Sequence, residues 1–450
     1  MNSREIVLDI LMEIAKETEY SNLLITAVLN KYDYLDAREK AFIKRVSEGT
    51  LERRIQIDHI LDQFSKVPVR KMKPLIRELL RMSVYQILFM ENIPDAAVCN
   101  EAVKLAKKRH FQTLQGYVNG VLRTIAREKD RIAYPDREKE PVRYLSVCYS
   151  VPEWLVRHFL TACGEEKTEK ILQSFLERKP VCVRLDENLS KERAEEIQEA
   201  WKKNGIKVTP HPYLPYAFWI DGAEGIGSLE GYREGEFAVQ DVSSMLVVEA
   251  AGIRPGDVVL DVCAAPGGKA LHAASKLRGE GKVIACDVSS YKTGKIEENC
   301  ERLGLQNVEV CVQDAREYRE DFSEMADVLI ADVPCSGLGV IGKKQDIKYR
   351  VTKEALAEIT QLQREILENV VRYVKPGGAL MYSTCTINPA ENRQMAAWIC
   401  EQFSFVLEDM SSYMPDELKQ EAESGMLQLL PGIHRTDGFF LARLRKQRRQ

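Results

Sequence analysis

Two cysteines, Cys335 and Cys385, stand in short runs of small residues, Asp332-Val333-Pro334-Cys335-Ser336-Gly337-Leu338-Gly339 and Tyr382-Ser383-Thr384-Cys385-Thr386. Each run follows an apolar stretch of strand type, so each thiol falls at the carboxyl end of an expected strand. In an open α/β sheet that is the edge where ligands bind. A cysteine is most often a small buried hydrophobe, and that reading is kept for Cys148, Cys163, Cys182, Cys286, Cys300, Cys311 and Cys400. Three other strand ends carry residues suited to a nucleoside ligand. Asp261-Val262-Cys263-Ala264-Ala265-Pro266-Gly267-Gly268-Lys269 turns sharply on small residues and lets the backbone lie close to a ligand before a helix begins. It is neither a G-x-G-x-x-G fingerprint nor a phosphate loop. Asp287 can accept hydrogen bonds from ribose hydroxyls, although a solvated acid or helix cap is the plainer account. Asp314 can face an adenine edge or simply cap a helix.

The elements that must position these residues are clearest from Arg254 onward. Strands are expected at Val258–Cys263, Val283–Asp287, Val308–Gln313, Val328–Asp332 and Ala379–Ser383. Helices at Lys269–Leu277, Tyr291–Leu303, Ala355–Val374 and Ala390–Phe403 alternate with them. That alternation predicts a doubly wound, mostly parallel sheet, and residues 236–450 are read as one Rossmann-like α/β domain. Residues 1–132 read as an all-α bundle. Ile6, Ile10 and Ile14 recur at helical spacing, and Leu75–Leu88 is apolar on more than one side, as a central helix would be. A helix over Ala96–His110 ends in Lys107-Lys108-Arg109-His110, cations that suit the negative end of its dipole. The last helix of the bundle starts near Gly116. The polar residues 133–150 read as a linker. Residues 151–235 read as a small α+β module, with helices at Trp154–Cys163, Thr168–Arg178 and Lys191–Asn204 and a strand at Val181–Leu185.

The 450 residues suggest about three domains at ~150 residues each. Sixty-four Lys and Arg against 68 Asp and Glu give a net charge of −4, with no global signature of a polyanion partner. Locally, Lys66 to Arg131 holds fourteen Lys/Arg against six Asp/Glu, so a basic face is expected on the N-terminal unit. None of the eleven cysteines forms a C-x-x-C pair, which argues against a zinc ribbon, and the odd number fits a reducing compartment. No run approaches the ~20 apolar residues of a membrane span. The expectation is a soluble cytoplasmic protein with neither a membrane nor a metal partner.

The combination Asp261-x-Cys-Ala-Ala-Pro-Gly-Gly-Lys269, Asp332-x-Pro-Cys-Ser-Gly337 and Ser383-Thr-Cys385 resembles the RNA (cytosine-C5)-methyltransferases that use S-adenosylmethionine, with the motifs in that family's order. Arg77–Met82, Asn100–Lys107 and Tyr117–Leu122 resemble a NusB-like RNA-binding helical domain. Their fusion is the arrangement of a family of bacterial 16S ribosomal RNA methyltransferases, and the likeness is weakest between Pro152 and Gly235. Gln240–Ser244, Pro431–His434 and Asp437–Phe440 also resemble family segments, with a helix start and a final strand as the plainer readings. Asp346-Ile347-Lys348-Tyr349-Arg350 is a candidate contact to RNA phosphate. Gly342-Lys343-Lys344-Gln345 before it is less basic than in the family, and Thr386 replaces a commoner serine. The basic tail Arg443–Arg449 reads as a solvated terminus.

The resemblance implies a particular chemistry. Carbon 5 of cytosine is a poor nucleophile until a thiolate adds at carbon 6 and makes the ring enamine-like. The residues alone leave open which cysteine adds. The resemblance assigns the nucleophile to Cys385, product release to Cys335 and the cytosine edge to Asp332. It also assigns cofactor binding to Cys263, Ala264, Ala265, Pro266, Gly267, Gly268, Lys269, Asp287, Asp314 and Asp332. The target base must be unpaired or flipped out. The implied substrate is 16S rRNA, naked or in an early assembly particle, in the subfamily that modifies cytosine 967. The same chemistry on tRNA or 23S rRNA is the second reading. An RNA-binding assembly or antitermination factor with an inactive scaffold is disfavoured because both thiols are intact. A nicotinamide oxidoreductase is disfavoured because its glycine fingerprint is missing.

Overall fold

The computed structural model describes residues 2–16, 20–32, 34–223 and 225–448. Its contacts form two compact units: Met1–Glu177 with Ile341–Arg350, and Arg178–Val340 with Val351–Gln450.

The first unit is helical. Its central helix, Pro74–Phe89, has proline at the first turn, where the missing N–H costs nothing, and buries Leu79, Leu80, Met82, Val84 and Tyr85. Two polar residues of this helix are buried with their bonds satisfied. Gln86 donates to the Met82 carbonyl and accepts from Arg4 Nε at 2.8 Å. Arg81 is clamped between Asp58 and Glu78 at 2.6 and 2.7 Å. Helix Ala37–Glu52 crosses it at Gly49, where an added Cβ would lie 2.0 Å from the Tyr85 ring, so only glycine permits that approach. The terminal basic cluster of helix Asp95–Lys108 does more than complement a dipole. Lys108 and Arg109 pair with Glu5 and Asp9 of helix Ser3–Ile14 at 2.6 and 2.7 Å.

Part of the expected linker is ordered secondary structure. Pro141–Tyr149 is a helix that buries Leu145 and Val147, and upstream the Ala133 carbonyl accepts from Gln63. The charge density of 133–150 hides those two apolar anchors. Helices Glu153–Cys163 and Glu165–Ser174, read from sequence with the middle module, group by contacts with the helical unit.

The segment Ile341–Arg350 also belongs to this unit and corrects the expectation that Asp346–Arg350 faces RNA phosphate. Helix Ala37–Glu52 ends with carbonyls that lack intrahelical donors. Lys348 Nζ donates to the Glu52 carbonyl at 2.7 Å and Tyr349 Oη to the Leu51 carbonyl at 2.8 Å. Asp346 accepts from the Ser21 amide at 3.0 Å, and the Arg54 guanidinium lies 3.7 Å from the centre of the Tyr349 ring. Asp346 and Lys348 are buried. Buried among these partners, neither side chain is presented to solvent.

The second unit holds two sheets. Strands β1 (Val181–Leu185), β2 (Lys207–Pro210), β3 (Ala217–Asp221) and β4 (Phe237–Val239) form an antiparallel sheet in the order β2-β3-β1-β4. Helix Lys191–Lys203 contributes Ile197 and Trp201 to its core. The larger sheet contains β5 (Val258–Asp261), β6 (Lys282–Asp287), β7 (Val308–Val312), β8 (Ala326–Asp332), β9 (Val374–Thr384), β10 (Phe405–Leu407), β11 (Met426–Leu429) and β12 (Phe439–Lys446). Its order is β10-β12-β9-β8-β5-β6-β7, with β11 beside β12. β5 to β9 pair in parallel and β12 runs antiparallel beside β9. The chain order reverses between β6 and β8 on either side of β5, so the ligand crevice opens at the carboxyl ends of β5 and β8. The basic tail is not a solvated terminus. Arg443 and Arg445 lie in β12 and pair with Glu408 at 2.7 Å, while Arg449 lies outside the described residues. Among the described residues, no helix is long and apolar enough to cross a membrane.

Burial pushes the Lys348 ammonium down to about 7. In the unfolded chain it keeps its proton to the ordinary 10.5. The stability it contributes is therefore full above that value and lost as pH falls toward 7. Thermal denaturation from pH 7 to about 9.5 is expected to show a steeper rise in Tm for the parent than for Lys348→Met. Equal slopes would contradict a neutralised buried amine.

Candidate active site

The loop after β5 forms one wall of the crevice. Asp261 is buried at the strand end and accepts from the Cys263 amide at 3.3 Å. Gly267 has φ 109°, a left-handed conformation, and an added Cβ would meet Leu271 at 2.9 Å, so glycine is required before helix Gly268–Lys276 begins. The end of β6 braces this loop, because Asp287 Oδ2 accepts from the Ala265 amide at 3.2 Å. The other oxygen, Oδ1, is buried without a hydrogen bond, with Lys292 Nζ at 3.3 Å. That oxygen fits a hydroxyl donor.

A cavity of about 450 Å³ lies over these strand ends. It gathers Cys263, Ala265, Asp287, Asp314, Asp332, Cys335 and Cys385, with Val288, Leu362 and Ile366 as apolar wall. Ala264, Pro266, Gly267, Gly268 and Lys269 do not line it and instead shape the turn behind it. Arg316 hydrogen-bonds Asp314 and lowers its pKa, keeping the carboxylate ionised.

β8 and β9 supply the reactive edge. Asp332 pairs in register with Ser383, whose hydroxyl donates to Asp332 Oδ1 at 2.9 Å. Lys269 Nζ donates to Asp332 Oδ2 at 2.5 Å, which gives the lysine of the glycine turn a role that sequence spacing did not reveal. The two thiols converge, with Cys335 Sγ 3.1 Å from Cys385 Sγ. Their neighbours converge too, since Ser336 Oγ lies 2.7 Å from Thr386 Oγ1. The hydrogen bond with Cys385, reinforced by burial, pushes the Cys335 thiol well above its ordinary value. Burial among Asp261, Asp287 and Asp332 does the same to Cys263.

The outlying family-like segments have structural duties. Asp241 caps helix Val242–Ala251 by accepting from the Ser243 amide, and Gln240 accepts from the buried Arg184 at 2.9 Å. Gly438 donates its amide to the Gly339 carbonyl at 2.9 Å, and Gly339 donates to the Cys385 carbonyl at 3.1 Å. A Cβ on Gly339 would fall 1.9 Å from the Gly438 carbonyl oxygen, so both glycines are needed to pin the loop beyond Cys335. Sequence reading missed Glu391 and Gln363, buried polar residues behind the thiols. In sequence they look like ordinary helix or turn residues.

A doubly wound sheet with a glycine turn after its first strand, an acid after its second and a nucleoside-sized cavity defines a methyltransferase domain, here on a chain that also carries a helical unit. The 16S rRNA methyltransferase RsmB/F family matches residues 250–445. The NusB family matches residues 1–127, and a ferredoxin-like domain of RsmF/B-like methyltransferases matches residues 151–226. The chain is 36% identical to the probable ribosomal RNA small subunit methyltransferase B of Bacillus subtilis, over 99% of this chain and 98% of that one. It is 30% identical to ribosomal RNA small subunit methyltransferase B of Cronobacter sakazakii, over 91% of each. The crystal structure of PH0851 superposes with TM-score 0.79 at 26% identity over 99% of each chain. NSun6 from Pyrococcus horikoshii shares the fold over 66% of this chain, with TM-score 0.57 at 23% identity. The chain belongs to the RsmB/F family of S-adenosylmethionine-dependent rRNA methyltransferases.

Burial raises the Asp261 carboxyl to about 7, against the pull of Lys269 and with Asp332 and Asp287 adding to the rise. A bound sulfonium cation favours the ionised form of a nearby acid, so cofactor affinity is expected to rise as pH passes upward through about 7. Calorimetric titration with S-adenosylmethionine from pH 6 to 8 should show several-fold tightening, and Asp261→Asn should flatten it. A parent affinity independent of pH would refute the linkage.

Proposed function

We propose that this protein methylates carbon 5 of a cytosine in 16S rRNA, of the cytosine-967 class, through a covalent adduct between Cys385 and carbon 6 of the base. The observation that carries the reading is the pair of thiols 3.1 Å apart at one cavity, beside an aspartate oriented by Lys269 and Ser383. Its hydrogen bond with Cys385, and then burial, raise the Cys335 thiol, so Cys335 holds its proton while the two sulfurs are paired. The Cys385 thiolate adds to carbon 6, while Asp332 hydrogen-bonds the cytosine edge and favours its protonated form. S-adenosylmethionine supplies the electrophilic methyl group to carbon 5. Addition consumes the Cys385 thiolate and removes the hydrogen bond and charge of Cys385 that help to raise the Cys335 thiol. Cys335 then gives its proton to solvent, and its thiolate accepts the carbon 5 proton. The carbon–sulfur bond breaks as the ring double bond returns, freeing Cys385 and the methylated base.

The NusB-like unit supports an RNA partner. Its basic stretch splits into two sets. Lys104, Lys108, Arg109 and Lys129 are engaged by acids, whereas Lys66, Arg70 and Lys71 are exposed and form no ion pair among the described residues. Free cations of this kind gain affinity by releasing counterions from phosphates, at a slope of about 0.7–0.9 in log K per log salt for each contact. Replacing Arg70 and Lys71 by alanine is expected to weaken RNA binding and shallow its salt dependence by about two such increments. Cofactor affinity should be unchanged. A salt slope equal to the parent's would remove these residues from the interface.

The central test combines the protein and S-adenosylmethionine with unmodified 16S, 23S and transfer RNA, and with an early small-subunit particle, followed by nucleoside mass spectrometry. 5-Methylcytosine confined to 16S RNA is expected. Cys385→Ala should form neither product nor adduct, and Cys335→Ala should accumulate an RNA–protein adduct stable to denaturing electrophoresis. Methylation of another base atom, or product formation by Cys385→Ala, would overturn the mechanism. 5-Methylcytosine in another RNA alone would overturn the substrate.

A further inference from the structure

Glu391 is a fully buried carboxylate outside the cavity, and it accepts from four donors. Oε2 takes the Ser336 amide at 2.8 Å and Gln363 Nε2 at 3.1 Å. Oε1 takes the Ser336 hydroxyl at 2.6 Å and Asn388 Nδ2 at 2.8 Å. Gln363 Nε2 also donates to the Pro334 carbonyl at 2.9 Å. The residues on both sides of Cys335 are therefore tied to one acid, directly at Ser336 and through Gln363 at Pro334. The same acid reaches the other thiol's loop, because the Ser336 hydroxyl also meets Thr386 Oγ1, next to Cys385. A buried carboxylate is costly unless its lone pairs are filled, and here all the filling donors belong to the framework of the thiol pair. Gln363 also meets the Tyr382 hydroxyl at the sheet core, whereas Ser336 and Asn388 belong to the loops that carry the thiols, so the carboxylate ties those loops to the sheet.

We infer that Glu391 is a positioning residue for product release: it fixes the backbone of Cys335 so that its sulfur stays aimed at the reacting base after Cys385 has been consumed. This rests on the two-thiol reading above. Once the adduct forms, the hydrogen bond between the sulfurs is lost, and the Glu391 clamp is what keeps the Cys335 loop in place. Misplacement of about 1 Å in such a group costs on the order of a hundredfold in rate. Cys385 itself is carried by the end of β9, and Glu391 reaches its loop only through Ser336 and Asn388, so addition depends less on this acid than release does.

The test uses the full chain with 16S RNA and compares Glu391→Gln, Glu391→Ala and Cys335→Ala. Glutamine keeps the size of the side chain but replaces one acceptor oxygen by a donor. Glu391→Gln is expected to bind S-adenosylmethionine and RNA as the parent does, to lower kcat by about 10- to 100-fold with little change in KM, and to accumulate the covalent adduct. Glu391→Ala should go further in the same direction. Turnover equal to the parent's, slow turnover without accumulated adduct, or joint loss of cofactor binding and thermal stability in both variants would each overturn the inference. Cys335→Ala separates the two levels. If it fails to accumulate adduct, the two-thiol reading falls. If it accumulates adduct and Glu391→Gln does not, only the role of Glu391 falls.

Discussion

Parallel pairing of β8 with β9, with Asp332 opposite Ser383, is the constraint on which the site depends. A parallel ladder brings both strands to their carboxyl ends on the same edge, so residues a few positions past the pairing must emerge together. Cys335 lies three residues beyond Asp332, and Cys385 two beyond Ser383. Their sulfurs meet at 3.1 Å without any long side chain reaching across. A one-residue slip would separate the thiols and exchange the residues of two buried faces, Leu329, Ala331, Leu380 and Tyr382 on one and Ile330 and Met381 on the other, so the fit of both cores holds the geometry of the thiol pair. The glycine contact between Gly339 and Gly438 then holds the loop beyond Cys335 against the strap that leads into β12.

Charge is taken out of water at this edge only where it is answered. Asp261, Asp287 and Asp332 follow three neighbouring strands, and three carboxylates in one crevice repel one another. Lys269 reaches Asp332, Lys292 lies beside Asp287, and Asp261 is left nearest to neutrality, its carboxyl raised to about 7. Asp261 is thus the acid whose ionisation responds most to a cation brought into the crevice.

Much of this was readable from residues because the methyltransferase domain obeys local rules. Val- and Ile-rich strands separated by helices specify a doubly wound sheet, and its topology alone says which edge to inspect. The positions that misled are those where tertiary burial overrides composition. Lys348 and Asp346 look like surface charges, yet they satisfy the exposed end of helix Ala37–Glu52 and a loop amide at Ser21. Arg443 looks like tail, yet it lies in β12 and pairs with Glu408. The helix Pro141–Tyr149 is hidden by its charged flanks, and of its apolar residues only Leu145 and Val147 are buried. Glu391 is the deepest omission, because nothing in Asn388-Pro389-Ala390-Glu391-Asn392 distinguishes a buried four-donor acceptor from a helix-start acid.

Three thiols line the cavity, and their surroundings support different fates for them. Cys263 sits among three aspartates, and both burial and their charge oppose its ionisation. It is therefore a poor nucleophile despite its place at the ligand edge. Cys335 is raised chiefly by its hydrogen bond with Cys385, then by burial and by the charges of Glu391 and Asp332, so losing Cys385 as a partner relieves the largest of these causes and leaves the others in place. In the proposed mechanism, an interaction that ends when the neighbouring sulfur becomes covalently bound would ease the second ionisation without any moving part. Resemblance implies Cys385 as nucleophile and Cys335 as the releasing group, and the shared contact between the sulfurs couples their two ionisations.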